Sequence, residues 1–250
     1  MSVLLEGKNL SKRFRRPKES DGWTDALSDV SFCLSQGEVL GIVGESGSGK
    51  STLLRIVSGM LLPDSGELYY RGERYTGQGP GQTGKFLQMI FQDAAASFDP
   101  RLTMKKSVPE SGRGRRDEAE LSELIRSFGM DEELLERRPS ELSGGQCQRM
   151  SIARAFYAHA EILLCDEITS ALDVSSQAQV IRLLHSLKEE GRLSAVFVSH
   201  DIALVSMLCD RMMVMKNGQV VEEGGTRRVI DAPEHPYTKQ LIMSAQEQSL

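Results

Sequence analysis

Residues 44 to 51 read Gly44-Glu45-Ser46-Gly47-Ser48-Gly49-Lys50-Ser51, which fits the pattern G-x-x-x-x-G-K-[ST] without a mismatch. The apolar run Val39 to Val43 precedes it, and a segment of helical character, Lys50 to Met60, follows it and closes before Pro63. Strand, glycine-rich loop and helix in that order leave little freedom of fold, because the strand must be buried and the loop must wrap an anion. The glycines let backbone N–H groups curl around phosphate oxygens where side chains would obstruct. The helix N-terminus adds its partial positive charge. Lys50 then supplies a point charge for the β- and γ-phosphates and Ser51 a hydroxyl ligand for Mg²⁺. The expected nucleotide-contacting stretch runs from Gly44 through Thr52.

The rest of the chain reads as an α/β protein. Leu27 to Leu34 and Val39 to Val43 have strand character, with a polar surface turn expected from Arg15 to Asp25. Tyr70 to Lys85 carries Gly72, Gly77, Gly79, Gly81 and Gly84, a composition that suits a loop. Leu121, Leu124, Ile125 and Phe128 recur at helical spacing between Asp117 and Phe128, and Gly129 is a stop signal. A further helix is expected from Gly144 to His159, a buried strand at Ile162 to Cys165, an amphipathic helix at Val174 to Glu190 and another strand at Ala195 to Val198. Met212 to Met215 and Gln219 to Glu222 flank Lys216-Asn217-Gly218, an Asn-Gly hairpin. Strands alternating with helices indicate a largely parallel sheet. The absence of an internal repeat indicates one nucleotide-binding module.

Two further motifs carry chemistry. Ile162-Leu163-Leu164-Cys165-Asp166-Glu167 is an apolar strand that delivers two acids to the edge of the sheet where open α/β folds bind ligands. Asp166 is placed to hold Mg²⁺, mostly through water, and Glu167 to polarise the attacking water. These features are shared by many nucleotide-hydrolysing families. Leu142-Ser143-Gly144-Gly145-Gln146 is more discriminating: a hydroxyl and backbone N–H groups at a helix start make a second phosphate cradle.

With these motifs in this order the chain resembles the ATP-binding subunits of ABC transporters. The resemblance implies a P-loop NTPase core of ABC ATPase type, with an antiparallel β-subdomain and an inserted α-helical subdomain. Residues 1–92 and 160–231 would form the core with its β-subdomain, 93–159 the helical subdomain, and 232–250 a short tail of a single domain. It further implies an ATP hydrolase coupled to transmembrane transport, in which Ser143, Gly144, Gly145 and Gln146 face the γ-phosphate held by the opposite subunit. Phe14 falls where the family stacks an aromatic on adenine. Gln92, in Met89-Ile90-Phe91-Gln92-Asp93, matches the glutamine that touches Mg²⁺ and couples to the membrane subunit. Ser170-Ala171-Leu172-Asp173 matches the loop that communicates across the dimer, and His200 the histidine that senses the γ-phosphate. The catalytic set so implied is Lys50, Gln92, Glu167 and His200, with Ser51, Gln92 and Asp166 toward the metal.

Ser97-Phe98-Asp99-Pro100-Arg101-Leu102-Thr103 and Glu234-His235-Pro236-Tyr237-Thr238-Lys239-Gln240-Leu241 resemble segments of the peptide/nickel importer group. Membership of that group implies a second ABC ATPase subunit, a sister chain rather than a copy, with two transmembrane permease subunits and, indirectly, an extracytoplasmic substrate-binding protein. Two stretches depart from the group. Gly72 to Lys85 is shorter and richer in glycine. Met104 to Arg116, where an apolar helix is expected, reads Lys105-Lys106-Ser107-Val108-Pro109 and then Ser111-Gly112-Arg113-Gly114-Arg115-Arg116. The chain also lacks the cysteine-rich C-terminal extension of many peptide-transporting relatives, which tilts the expectation toward a nickel or metal-chelate cargo. The alternative is a non-transport ABC ATPase of DNA repair or translation. Such proteins carry two modules or a long coiled coil, whereas this chain has one compact insertion without sustained heptads.

Composition is consistent with a cytosolic subunit. Charged residues make up 26% and the net charge is −5, which argues against a nucleic-acid partner. No apolar run approaches the roughly 18–20 residues that span a bilayer, and Met1 to Phe14 lacks a signal-peptide core. The expected location is therefore the cytoplasmic face of the membrane, reached through a partner. Cys33, Cys147, Cys165 and Cys209 form no CxxC pair and are expected to be reduced structural thiols.

Overall fold

In the computed structural model, residues 2–15, 22–76, 83–112 and 117–247 are described. The N-terminal strands β1 (Val3–Arg15) and β2 (Trp23–Ser35) pair antiparallel, with Leu10 opposite Val30 and Phe14 opposite Thr24. The turn expected from Arg15 to Asp25 is thus narrower: Arg15 pairs with Trp23, and residues 16–21 lie outside the described residues. β3 (Val39–Val43) then enters the interior with all five residues buried, and α1 (Lys50–Val57) follows the glycine loop. The helix stops before the expected Met60 because the chain turns at Ser58-Gly59, where Gly59 N–H bonds Ile56 O at 3.0 Å.

β4 (Ser65–Tyr70) and β5 (Glu73–Tyr75) complete a four-stranded antiparallel sheet of order β2-β1-β4-β5. β5 lies inside the stretch read as loop: Arg71-Gly72 makes a tight turn that returns Arg74 opposite Tyr69. Gly77, Gly79 and Gly81 fall outside the described residues. β6 (Leu87–Ile90) leads into a region of short helices, α2 (Met104–Ser107) and α3 (Glu118–Ser127), and then α4 (Gly144–Tyr157). α3 begins as its sequence predicts, with Asp117 accepting from Glu120 N–H at 3.0 Å. The Met104–Arg116 stretch contains one turn of α-helix and a 3₁₀ turn at Pro109–Gly112; Met104 and Val108 are fully buried, and Arg113 to Arg116 lie outside the described residues.

Next come β7 (Ile162–Asp166), α5 (Val174–Glu189), β8 (Ala195–Val198), α6 (Ile202–Leu208), β9 (Arg211–Lys216) and β10 (Gln219–Gly225). The six-stranded sheet has the order β10-β9-β3-β8-β7-β6, parallel except for β10. The hairpin turn is the one its dipeptide requires: Asn217 and Gly218 both have positive φ, 49° and 77°. α7 (Thr226–Asp231) and α8 (Pro236–Glu247) end the described chain.

The parallel strands read as unbroken apolar runs because both faces are covered. Val39 and Val43 point into one apolar cluster with Ile152, Leu184 and Val205 of the helices, whereas Leu40 and Ile42 point into another with Leu54 of α1 and Leu5 and Phe32 of the antiparallel sheet. Each fully buried Leu or Ile contributes about 1.5–3 kcal/mol, so this alternation fixes the register of β3 and with it the position of the loop that follows. Among the described residues no helix is long and apolar enough to cross a membrane. All four cysteines are free thiols. Burial pushes the Cys165 thiol up to about 12, which fits an inert structural group.

Candidate nucleotide site

The loop between β3 and α1 can adopt its shape only with glycine at two positions. Gly44 has φ 152° and Gly49 φ 107°. A Cβ would lie 2.2 Å from Met215 O at the first and 2.5 Å from Ala26 O at the second. The hairpin tip braces the loop from outside, since Gly218 N–H donates to Ser48 O at 3.0 Å. Lys50 is buried, and its ammonium folds back onto Gly44 O at 2.7 Å and Glu45 O at 2.9 Å. Desolvation lowers its pKa, opposed by the nearby charges of Glu167 and Asp166. A buried cation whose short hydrogen bonds are to carbonyls, with Ser48 Oγ at 3.5 Å and the two acids acting at longer range, gains from an anion, so the residues present fit a phosphate group.

On the neighbouring strand, Asp166 ends β7 and accepts from Ser51 Oγ at 3.1 Å. Burial raises the Asp166 pKa; the Ser51 hydrogen bond partly offsets this, and the adjacent Glu167 charge adds to it. A hydroxyl and a poorly solvated carboxylate side by side are hard oxygen donors of the kind Mg²⁺ takes. Glu167 follows with φ 51°, a left-handed conformation that costs a non-glycine residue about 1–2 kcal/mol. It is held by Glu167 N–H to Val198 O at 3.1 Å and by Ser170 Oγ to Glu167 O at 2.9 Å. His200, two residues beyond β8, places Nδ1 3.8 Å from Glu167 Oε2. The parallel pairing of Asp166 with Val198 is what brings these two together.

The remaining predicted residues lie in three other places. Phe14 lies near the end of β1 with 43% of its surface exposed, so it is not a core phenylalanine, and Lys12 Nζ sits 5.9 Å from its ring centre. Gln92 is exposed just past β6, in a loop tied to α4 by Gln148 Nε2 donating to Phe91 O at 3.3 Å. Ser143 caps α4 in a reciprocal box: Gln146 N–H reaches Ser143 Oγ at 3.2 Å and Ser143 N–H reaches Gln146 Oε1 at 2.9 Å. Asp173 caps α5, accepting from Ser176 N–H at 2.9 Å and Ser176 Oγ at 2.7 Å. The two caps touch, because a Cβ on Gly145 would lie 2.7 Å from Ser176 Cβ. Lys50, Ser51, Asp166, Glu167 and His200 therefore form one cluster, and Ser143 to Gln146 with Asp173 form another.

Residues 27–170 match the family model described as ABC transporter. This chain belongs to the ABC transporter family. It is 43% identical to the oligopeptide transport ATP-binding protein OppF of Haemophilus influenzae, over 87% of this chain and 68% of that protein. It is 40% identical to the probable D,D-dipeptide transport ATP-binding protein DdpF of Escherichia coli, over 88% of this chain and 70% of that protein. Among solved structures it is similar to a dimeric post-hydrolysis state of the ATP-binding cassette MJ0796 bound to ADP and Pi, with TM-score 0.75, 29% identity, and coverage of 90% of this chain and 99% of that one. The chain is an ATP-binding cassette that couples ATP hydrolysis to transport. The relatives named here carry peptide descriptions, so the tilt toward nickel finds no counterpart among them.

Three contacts were not predicted from the sequence. Tyr237 reaches the phosphate loop, Gly218 braces it, and Arg154 binds Ser97 through two hydrogen bonds. Gly218 lies in the expected hairpin turn, Arg154 in an expected helix and Tyr237 in a segment that indicated kinship, and none of the three contacts follows from those readings.

Proposed function

We propose that this ABC cassette is one of two ATP-binding subunits energising an importer of peptides, with each ATP held between the phosphate loop of one subunit and Ser143 to Gln146 of the other. The observation that carries the reading is the convergence of Lys50, Ser51, Asp166 and Glu167 at the ends of β3 and β7. In this reading Phe14 stacks on adenine, and the loop from Gly44 through Ser46, Gly47, Ser48 and Thr52 surrounds the phosphates. Lys50 moves from its own loop carbonyls to the β- and γ-phosphate oxygens. Ser51, Asp166 and Gln92 would hold Mg²⁺, which when bound neutralises developing phosphate charge. Glu167 takes a proton from the attacking water, a role worth about 10²–10⁴-fold, and His200 lies beside it to sense the γ-phosphate.

The separate cluster of Ser143, Gly144, Gly145 and Asp173 supports action in trans: it is a phosphate cradle whose contacts are with its own two helix starts. The short helices between Gln92 and Ser143 are the proposed docking surface for two permease subunits on the cytoplasmic side, and a sister ATPase is the proposed partner. Peptide rather than metal-chelate cargo rests on the named relatives. The test is reconstitution with the permeases, sister chain and binding protein. Peptide should stimulate ATP hydrolysis and Ser143→Arg should abolish it. Stimulation by nickel alone would overturn the cargo, and full turnover in Ser143→Arg would overturn the trans site.

A further inference from the structure

Tyr237 sits in the first turn of α8, only 4% exposed. Its hydroxyl nevertheless meets the phosphate loop, accepting from Glu45 N–H at 3.0 Å across 192 residues of sequence. That N–H belongs to the same planar trans peptide unit as Gly44 C=O, so the two groups point in opposite directions. Gly44 O is the closer of the two carbonyls that accept from Lys50 Nζ, at 2.7 Å. One peptide plane is therefore held on one edge by Tyr237 and on the other by Lys50. Any rotation of the plane breaks both bonds, and the two bonds polarise each other through the amide. Gly44, in its left-handed conformation, would otherwise leave this plane free to turn.

Tyr237 is itself rigidly placed. Glu234 N–H and His235 N–H both donate to the Glu222 carboxylate, at 2.9 and 2.9 Å, and Tyr237 N–H donates to His235 Nδ1 at 3.1 Å. Lys216 Nζ lies 4.4 Å from the ring centre. Lys216 also ends β9, immediately before the Asn217-Gly218 turn that braces Ser48. The loop is thus gripped from two points on one scaffold.

We infer that Tyr237 is a positioning residue for nucleotide binding, which sets the Gly44–Glu45 peptide and through it the Lys50 ammonium, and that the last helix is part of the nucleotide site. The inference rests on the phosphate-loop reading above. Its test is Tyr237→Phe in the full chain, which keeps the ring and its packing and removes only the acceptor. Binding of a fluorescent ATP analogue with Mg²⁺ is titrated, and KM and kcat are measured in the reconstituted complex. Kd and KM should rise about threefold to tenfold, with kcat within about twofold and the melting temperature within about 2 °C of the parent. Added to Lys50→Ala, Tyr237→Phe should cause no further loss of affinity, because it acts through that lysine. Unchanged Kd in Tyr237→Phe, a lowered melting temperature with unchanged Kd, or an additive loss in the double variant would each overturn the inference. Parent-like binding by Lys50→Ala alone would instead sink the phosphate-loop reading itself.

Discussion

Ser51 Oγ donates to Asp166 Oδ1 at 3.1 Å, joining the first turn of α1 to the tip of β7 across 115 residues. The bond holds two oxygen donors together, but the carboxylate remains poorly solvated, and burial is the largest cause of its raised pKa. Asp166→Asn keeps an oxygen for Ser51 and removes the buried charge. The nucleotide-free variant should melt about 1–3 °C higher, while Mg²⁺-dependent ATP binding is lost. The sign with pH follows: a folded pKa above the unfolded value gives a stability contribution that is present below the ordinary carboxylate value of about 3.9 and lost as pH rises through the folded pKa. Asp166→Asn should flatten that part of the pH–stability curve. A lower melting temperature in the variant would contradict the account.

Glu167→Gln is expected to lower ATP turnover about 10²–10⁴-fold while leaving the affinity for ATP within about twofold, because Lys50 and its loop do not depend on the carboxylate charge for their shape. Size-exclusion chromatography with ATP then reports the partner. A dimer that forms only when the sister chain is present agrees with the heterodimer reading, and complete self-pairing contradicts it.

Much of this arrangement was legible in the sequence. Val39 to Val43, Ile162 to Cys165 and Ala195 to Val198 are apolar runs bounded by loops or acids, and a buried parallel strand is the economical solution for such runs. The Asn217-Gly218 turn and the Asp117 and Ser143 caps follow from local chemistry alone. What escaped was set by tertiary pairing. Trp23 to Asp25 look like turn residues and become strand because Arg13 to Arg15 lie opposite them. Likewise Glu73 to Tyr75 are short and polar and become strand only by adding to β4. In the site, the chemical groups were legible but their support was not. Tyr237, Gly218 and Arg154 act through one or two hydrogen bonds to groups far away in sequence, and such bonds leave no periodic or compositional trace.

Gly145→Ala tests how tightly the two helix starts are joined. Gly145 lies in the first turn of α4, where alanine would ordinarily be favoured over glycine by at most about 1 kcal/mol. Here the added methyl meets Ser176 Cβ at 2.7 Å, an overlap whose relief costs about 1–3 kcal/mol. The variant should be destabilised, and Ser176→Gly should restore most of the loss. Thermal melts of the two single variants and the double variant check this, and additive effects would show that the contact does not couple α4 to α5.

Arg154 joins α4, which Ser143 caps, to the segment beyond Gln92. Its two terminal nitrogens donate to Ser97 O at 2.7 Å and to Ser97 Oγ at 2.9 Å, and its guanidinium lies 4.3 Å from the centre of the Phe98 ring. Desolvation lowers its pKa, with Glu110 opposing, so the half-buried charge depends on these partners. A lysine has the charge but not the planar fork, and could satisfy only one of the two acceptors while losing the stacked contact. Arg154→Lys should cost about 1–3 kcal/mol of stability, yet leave ATP affinity within about twofold, because Lys50 and its loop carbonyls lie in a different cluster. In the reconstituted complex, less transport per ATP hydrolysed should accompany the loss, since the strap between the Gln92 loop and the Ser143 cradle is what it weakens. Chemical denaturation with a parallel ATP titration separates the two effects. Parent-like stability would show that the two hydrogen bonds contribute nothing net, and a large fall in ATP affinity would place Arg154 in the binding site rather than between the two clusters.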